Sequence, residues 1–170
     1  MSAADADRFS FTEHPSIDGG APDGYRLTVR NRVIGSGAAT FRAAAHGVLH
    51  WQGHRGAGFT PVSVPDRVEV GAVSIWIVPF GPLHASVRCR VFEVANEPRR
   101  VGFGHGTLVG HPQQGWESFV VHHDANDDVR FEIRVVARPA ATWMKLAGPF
   151  GTLALHRFLT RNLRALDPIL

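Results

Sequence analysis

The stretch from Gly104 to Phe119, Gly-His-Gly-Thr-Leu-Val-Gly-His-Pro-Gln-Gln-Gly-Trp-Glu-Ser-Phe, sets two histidines, a threonine and a glutamate among glycines. An imidazole and a carboxylate suit proton transfer, and a desolvating cavity tunes both toward neutrality. In an extended strand Val101, Phe103, His105, Thr107 and Val109 point one way, and Gly102, Gly104 and Gly106 the other. The two large apolar groups turn the first face inward. The glycines leave the second face bare, open to a bend or a close backbone approach. On the next strand Glu117, Phe119 and Val121 share a side. A hairpin that sets Thr107 opposite Glu117 gathers His105, Thr107 and Glu117 on the apolar side, whereas a one-residue slip sends Glu117 outward. Two readings of the trio stand. Its members are the few polar contacts of an apolar cavity, or they satisfy one another and the backbone as a buried network, since burying either ionisable group unpaired costs several kcal/mol. Gly110, His111, Pro112 and Gly115 build the connecting loop, with Pro112 holding His111 extended.

Other chemistry is thinly supported. His46 and His50 stand four apart with His54 following, but no glutamate follows His46 as a zincin motif requires, and both lie opposite the apolar residues of their helix. His122 and His123 point to opposite faces of a strand. The sequence carries no Gly-x-Ser-x-Gly elbow, phosphate-cradling glycine loop or dinucleotide fingerprint. No metal and no cofactor are therefore expected. Cys89, the single cysteine, alternates between Arg88 and Arg90 in a strand-like run and reads as a small core residue.

The 170 residues carry a net charge of only +3, and all the basic side chains but Lys145 are arginines scattered among acids. That balance argues against a nucleic-acid partner. No apolar run is long enough to cross a bilayer, and the acidic N-terminus lacks the pattern of a secretory signal, so the expected location is the cytoplasm. The oligomeric state is left open.

The elements that must position these groups follow from periodicity and punctuation. Residues 1–24, broken by Pro15, Gly19, Gly20, Pro22 and Gly24, read as an irregular arm, and 25–170 as one domain. Tyr25, Leu27 and Val29 alternate against Arg26, Thr28 and Arg30 in a half-buried strand ending at Gly35. Ser36 is placed to cap a helix through Gly53, with Phe41, Ala44, Ala45 and Val48 on one face and glycines 53, 56 and 58 ending it. A run of strands follows, separated by turn signals at Pro79–Pro82, Asn96–Pro98 and Asp124–Asp127. The cleanest alternates Val129, Phe131, Ile133 and Val135 against Arg130, Glu132 and Arg134. The last helix runs from about Pro149 to Leu166, with Leu155, Phe158, Leu159, Leu163 and Leu166 forming an apolar face and Arg157, Arg161 and Arg164 a basic stripe. Asn162 falls inside that apolar face, bonded to nearby backbone or projecting into a cavity. One apolar helix face against one antiparallel meander is an α+β helix-grip arrangement, a curved sheet wrapped around a long C-terminal helix.

Three stretches carry a resemblance: Gly35–Gln52, Arg90–Phe119 and Ala137–Pro149 with His156–Leu166. They resemble the uncharacterised family named domain of unknown function nineteen-ninety, whose mark is Gly-Thr-Leu-x-Gly-His-x-x-x-Gly-x-Glu, here Gly106 to Glu117. The resemblance covers about Tyr25 to Leu166. It implies a START and Bet v 1-like fold, with a curved antiparallel sheet wrapping the C-terminal helix around an apolar cavity, and it carries no assigned activity. The chain departs from the family pattern at His105 and Asn162, where tyrosine is usual, and at Trp116, which replaces the first of two acids. The expected function is binding of a small apolar or amphipathic molecule, with His105, Thr107, Glu117 and Asn162 as ligand contacts. The alternatives are an enzyme acting on such a molecule by His/Glu acid–base chemistry, and a scaffold whose cavity its own side chains fill.

Overall fold

Period-two alternation places strands where it is cleanest, and the computed structural model, which describes residues 7–80, 83–140 and 148–170, bears this out. β1 (Arg26–Ser36) leads into α1 (Gly37–Leu49) and α2 (Gln52–Gly56). A meander follows: β2 (Thr60–Ser63), β3 (Val73–Phe80), β4 (Leu83–Glu97), β5 (Arg100–Thr107), β6 (Gln113–His123) and β7 (Asp128–Pro139). The chain ends with α3 (Gly148–Arg164) and a 3-10 turn at Asp167–Ile169. The seven strands form one antiparallel sheet in the order β1-β7-β6-β5-β4-β3-β2. The two helices after β1 carry the chain to the far edge, and the meander returns until β7 pairs with β1.

One sheet face meets the helices. Phe41, Ala44, Ala45, Val48 and Leu49 of α1 pack with Val101, Phe103, Phe119, Val121, Val129, Phe131, Ile133 and Val135, and Leu159 and Leu166 close the cluster. Phe131 and Leu159 are both buried, as their helix and strand periods require. Arg157, Arg161 and Arg164 are exposed.

The first helical region breaks earlier than its glycines indicate. Trp51, not Gly53, interrupts it, with φ 63° in the left-handed region, and Gly53 and Gly56 lie within α2. That conformation costs a non-glycine residue about 1–2 kcal/mol. Complete burial of the indole against Phe103, His54 and Trp76 offsets it. Gly56 meets Ala165 so closely that a Cβ there would lie 2.6 Å from the alanine methyl, which seats α2 on the turn that follows α3. Ser36 holds the position before α1, yet its side chain makes no capping bond. The Gly37 N–H instead donates to the Asp127 carbonyl at 3.0 Å.

The second face is not bare. Phe9 and Phe11 of the arm lie over Gly106, where a Cβ would come within 2.6 Å of the Phe11 ring, and Phe92 covers Gly104. Phe11 packs with Trp116 and Val136, while Ile17 packs with Ala95 and Val120. Phe9 makes a β-bridge with Leu108, the Ser118 hydroxyl donates to the Ile17 carbonyl at 3.0 Å, and Arg134 donates to the carbonyls of Asp18 and Gly19. Irregular in backbone, the arm is nonetheless strapped across the sheet.

Candidate functional site

β5 and β6 pair so that His105 lies directly opposite Glu117, with Phe103 opposite Phe119. The register expected from the sequence set Thr107 there, two residues away. A two-residue offset preserves which face each side chain takes, so Glu117 and His105 still share the helix-facing side. His105 is 4 % exposed, and its Nε2 lies 3.6 Å from a Glu117 carboxylate oxygen, a side chain 20 % exposed. The other ring nitrogen, Nδ1, is buried and has no hydrogen-bond partner among the described residues.

Thr107 does different work. Its hydroxyl donates to the Gly115 carbonyl at 3.0 Å, accepts the Gly115 N–H at 3.0 Å, and meets the Ser10 hydroxyl at 2.6 Å. One proton and two lone pairs are then all committed. Gly115 is held at φ 144°, and a Cβ there would strike the Val136 carbonyl oxygen, so this junction accepts no side chain. Asn162 is fully buried, one helical turn after Leu159 on the same face of α3. Its amide N–H donates to the Phe158 carbonyl at 3.0 Å, and its Oδ1 is buried without a partner among the described residues. Half of this amide is thus satisfied by its own helix and half is not. Leu155 lies outside the residues whose side chains are described.

Sequence reasoning met His54 only as a histidine following His46 and His50, and did not place it beside His105. His54, 2 % exposed, stands edge-on to the His105 ring at 5.1 Å, stacks on Trp76 at 5.2 Å and meets Phe119 at 4.8 Å. Burial, then repulsion from His105, holds its pKa well below that of a free imidazole. The available signal was the three-residue step from Trp51 to His54, one helical turn after the break. His46 and His50 stack on each other at 4.0 Å away from this interior. His111 accepts the Gln113 N–H through Nδ1 at 3.0 Å, and burial lowers its pKa to about 4. Cys89 is buried, and desolvation followed by the Glu117 charge pushes its thiol far up, which suits a core residue and not a nucleophile.

A seven-stranded antiparallel sheet with a long C-terminal helix fits the helix-grip fold. Two of the solved structures that share the fold illustrate it. The Zhui aromatase/cyclase of a Streptomyces species superposes with a TM-score of 0.57 over 85% of this chain and 92% of its own, at 12% identity. Major latex-like protein 151 of Panax ginseng gives 0.51 over 85% and 96%, at 16% identity. At such identities the likeness is one of fold. The chain belongs to the family described as a domain of unknown function, DUF1990, whose model matches residues 10–165. A UPF0548 protein of Deinococcus radiodurans is 34% identical over 153 residues, 84% of this chain and 77% of that protein. No helix among the described residues is long and apolar enough to cross a membrane.

Proposed function

We propose that this protein is a cytoplasmic module that binds a small apolar or amphipathic molecule between its sheet, curled around α3, and that helix. One observation carries the reading: His105 and Asn162 each bring a polar atom with no partner among the described residues into a largely apolar, aromatic interior. Stability alone disfavours such atoms, because each forfeits its hydrogen bonds to water. A ligand offering complementary groups restores them. In this reading Glu117 orients His105, Asn162 contributes from the helix side, and Thr107 fixes the strand ends without touching the ligand. A second reading, acid–base catalysis on the same molecule, draws on the 3.6 Å approach of the imidazole to the Glu117 carboxylate.

Native mass spectrometry of freshly purified protein, followed by extraction, tests the proposal. A co-purifying apolar compound that rebinds with weaker affinity to His105→Ala or Glu117→Gln supports it. Unchanged affinity in both variants removes these residues from the site. Turnover of the compound by wild type, lost in either variant while binding persists, moves the conclusion to the enzyme. Absence of any ligand from a fully stable protein that also binds no apolar compound leaves the self-filled scaffold.

A further inference from the structure

The outer side of α3 carries positive charge with no acid of its own. From Ile133 to Leu166 the sequence has no aspartate or glutamate, although acids are spread through the residues before it. The small net charge of +3 is therefore unevenly placed. Within α3, His156, Arg157, Thr160, Arg161 and Arg164 are exposed, while Leu159 and Asn162 face the interior. Steps of four and three residues set the three arginines along one side of the helix, and like charges at that spacing weaken it. The negative end of the helix dipole accounts for Arg161 and Arg164 in the last turn. It does not account for Arg157, one turn further in.

His156, Arg157, Thr160 and Arg161 line an open depression of about 390 Å3. Arg30 of β1 donates to His156 Nδ1 at 3.4 Å, so the neutral ring carries its proton on Nε2, a further donor. The Thr160 proton is spent on the His156 carbonyl at 2.9 Å. Among the described residues no carboxylate pairs with Arg157 or Arg161, and the next acid in the chain, Asp167, is taken by Arg32. Two guanidinium forks and one imidazole N–H thus offer about five donors around a double positive charge. A carboxylate brings two oxygens and a single charge, too few for this set. A phosphate monoester brings three terminal oxygens and nearly two charges at neutral pH. We infer that this depression binds the phosphate monoester group of a small molecule or a lipid, held by Arg157 and Arg161, with His156 seated by Arg30. The site lies outside the interior and does not rest on what binds there.

Two probes present the same group in soluble and in lipid form. Glycerol 3-phosphate is titrated calorimetrically at low salt, with acetate as control, because exposed charge pairs are screened. Phosphatidylcholine vesicles carrying phosphatidic acid are used in flotation, with phosphatidylserine vesicles of matched charge as control. At least one probe is expected to bind wild-type protein about tenfold more tightly than its control. Arg157→Gln and Arg161→Gln should each weaken that binding about tenfold. Arg42→Gln removes the same charge from the exposed side of α1 and should leave it unchanged. Comparing probe with control in wild type needs no variant to fold. Binding of glycerol 3-phosphate without the vesicles supports the site with a soluble ligand, and binding of the vesicles alone supports it with a lipid headgroup. Binding of neither probe, or controls bound as well as probes, overturns the inference. So does an equal loss in Arg42→Gln, or binding unchanged in both α3 variants.

Discussion

Thr107 and Glu117 lie near each other on the sheet and are engaged differently. The threonine hydroxyl locks β5 to Gly115 and to the arm through Ser10, so Thr107→Val removes three buried or half-buried contacts at nearly constant shape. A loss of about 1–3 kcal/mol in urea denaturation is expected, with ligand affinity changed far less than in His105→Ala. The buried histidines give the molecule a pH response with a definite sign. His54 and His111 have folded pKa values below that of an unfolded imidazole, near 6.5, with His111 at about 4. Above about 6.5 both states are neutral and this contribution is fully present. As pH falls toward about 4 the unfolded chain takes up protons that the folded one refuses, so stability declines across that window. The loss that His111 contributes is complete below about 4. Urea midpoints measured from about pH 7.5 to pH 4.5 should fall, and His111→Gln should flatten the slope.

At the scale of elements, Phe131 from β7 and Leu159 from α3 join sheet and helix in one core. Alanine at either should cost about 2–5 kcal/mol by chemical denaturation; losses near zero at both would contradict the seating of α3 on the sheet. The strands around these residues were legible because each alternates cleanly, as in Val129, Phe131, Ile133 and Val135. β2 was not, because Pro61 lies within its four residues and nothing alternates there; as an edge strand it tolerates a proline. The helix break was misplaced because glycine is the default left-handed residue, and only the tertiary pocket for the Trp51 indole lets tryptophan take the role. In the candidate site, the face and the membership of His105 and Glu117 could be read from parity. Their direct pairing could not, since it depends on the exit from β5 at Thr107 and Gly115. The aromatic surroundings of His54 come from β3, β5, β6 and α2 together, which no local pattern reveals. The glycine row 102–104–106 signalled a close approach, but the approaching groups come from three places that no local pattern joins: the β6 backbone at Gly102, Phe92 of β4 at Gly104 and the arm at Gly106.

Across the whole molecule, a sheet covered by helices on one face and by the arm on the other is held by contacts between distant parts of the chain. Ser10 reaches Thr107 over 97 residues, and Ile17 reaches Ser118 over 101. The arm docks on a surface made by β4, β5, β6 and β7, so that surface exists only once those strands have paired. Chain order and folding order are therefore expected to be opposed, with the arm docking after the strands. Contacts formed after the rate-limiting step govern how fast the native state is lost and not how fast it is reached. Ile17→Ala should therefore leave the folding arm of a chevron unchanged and raise the unfolding arm, whereas Phe131→Ala, in the sheet that must form first, should slow folding as well. On this expectation the strap over Gly106 is a latch on the lifetime of the folded protein.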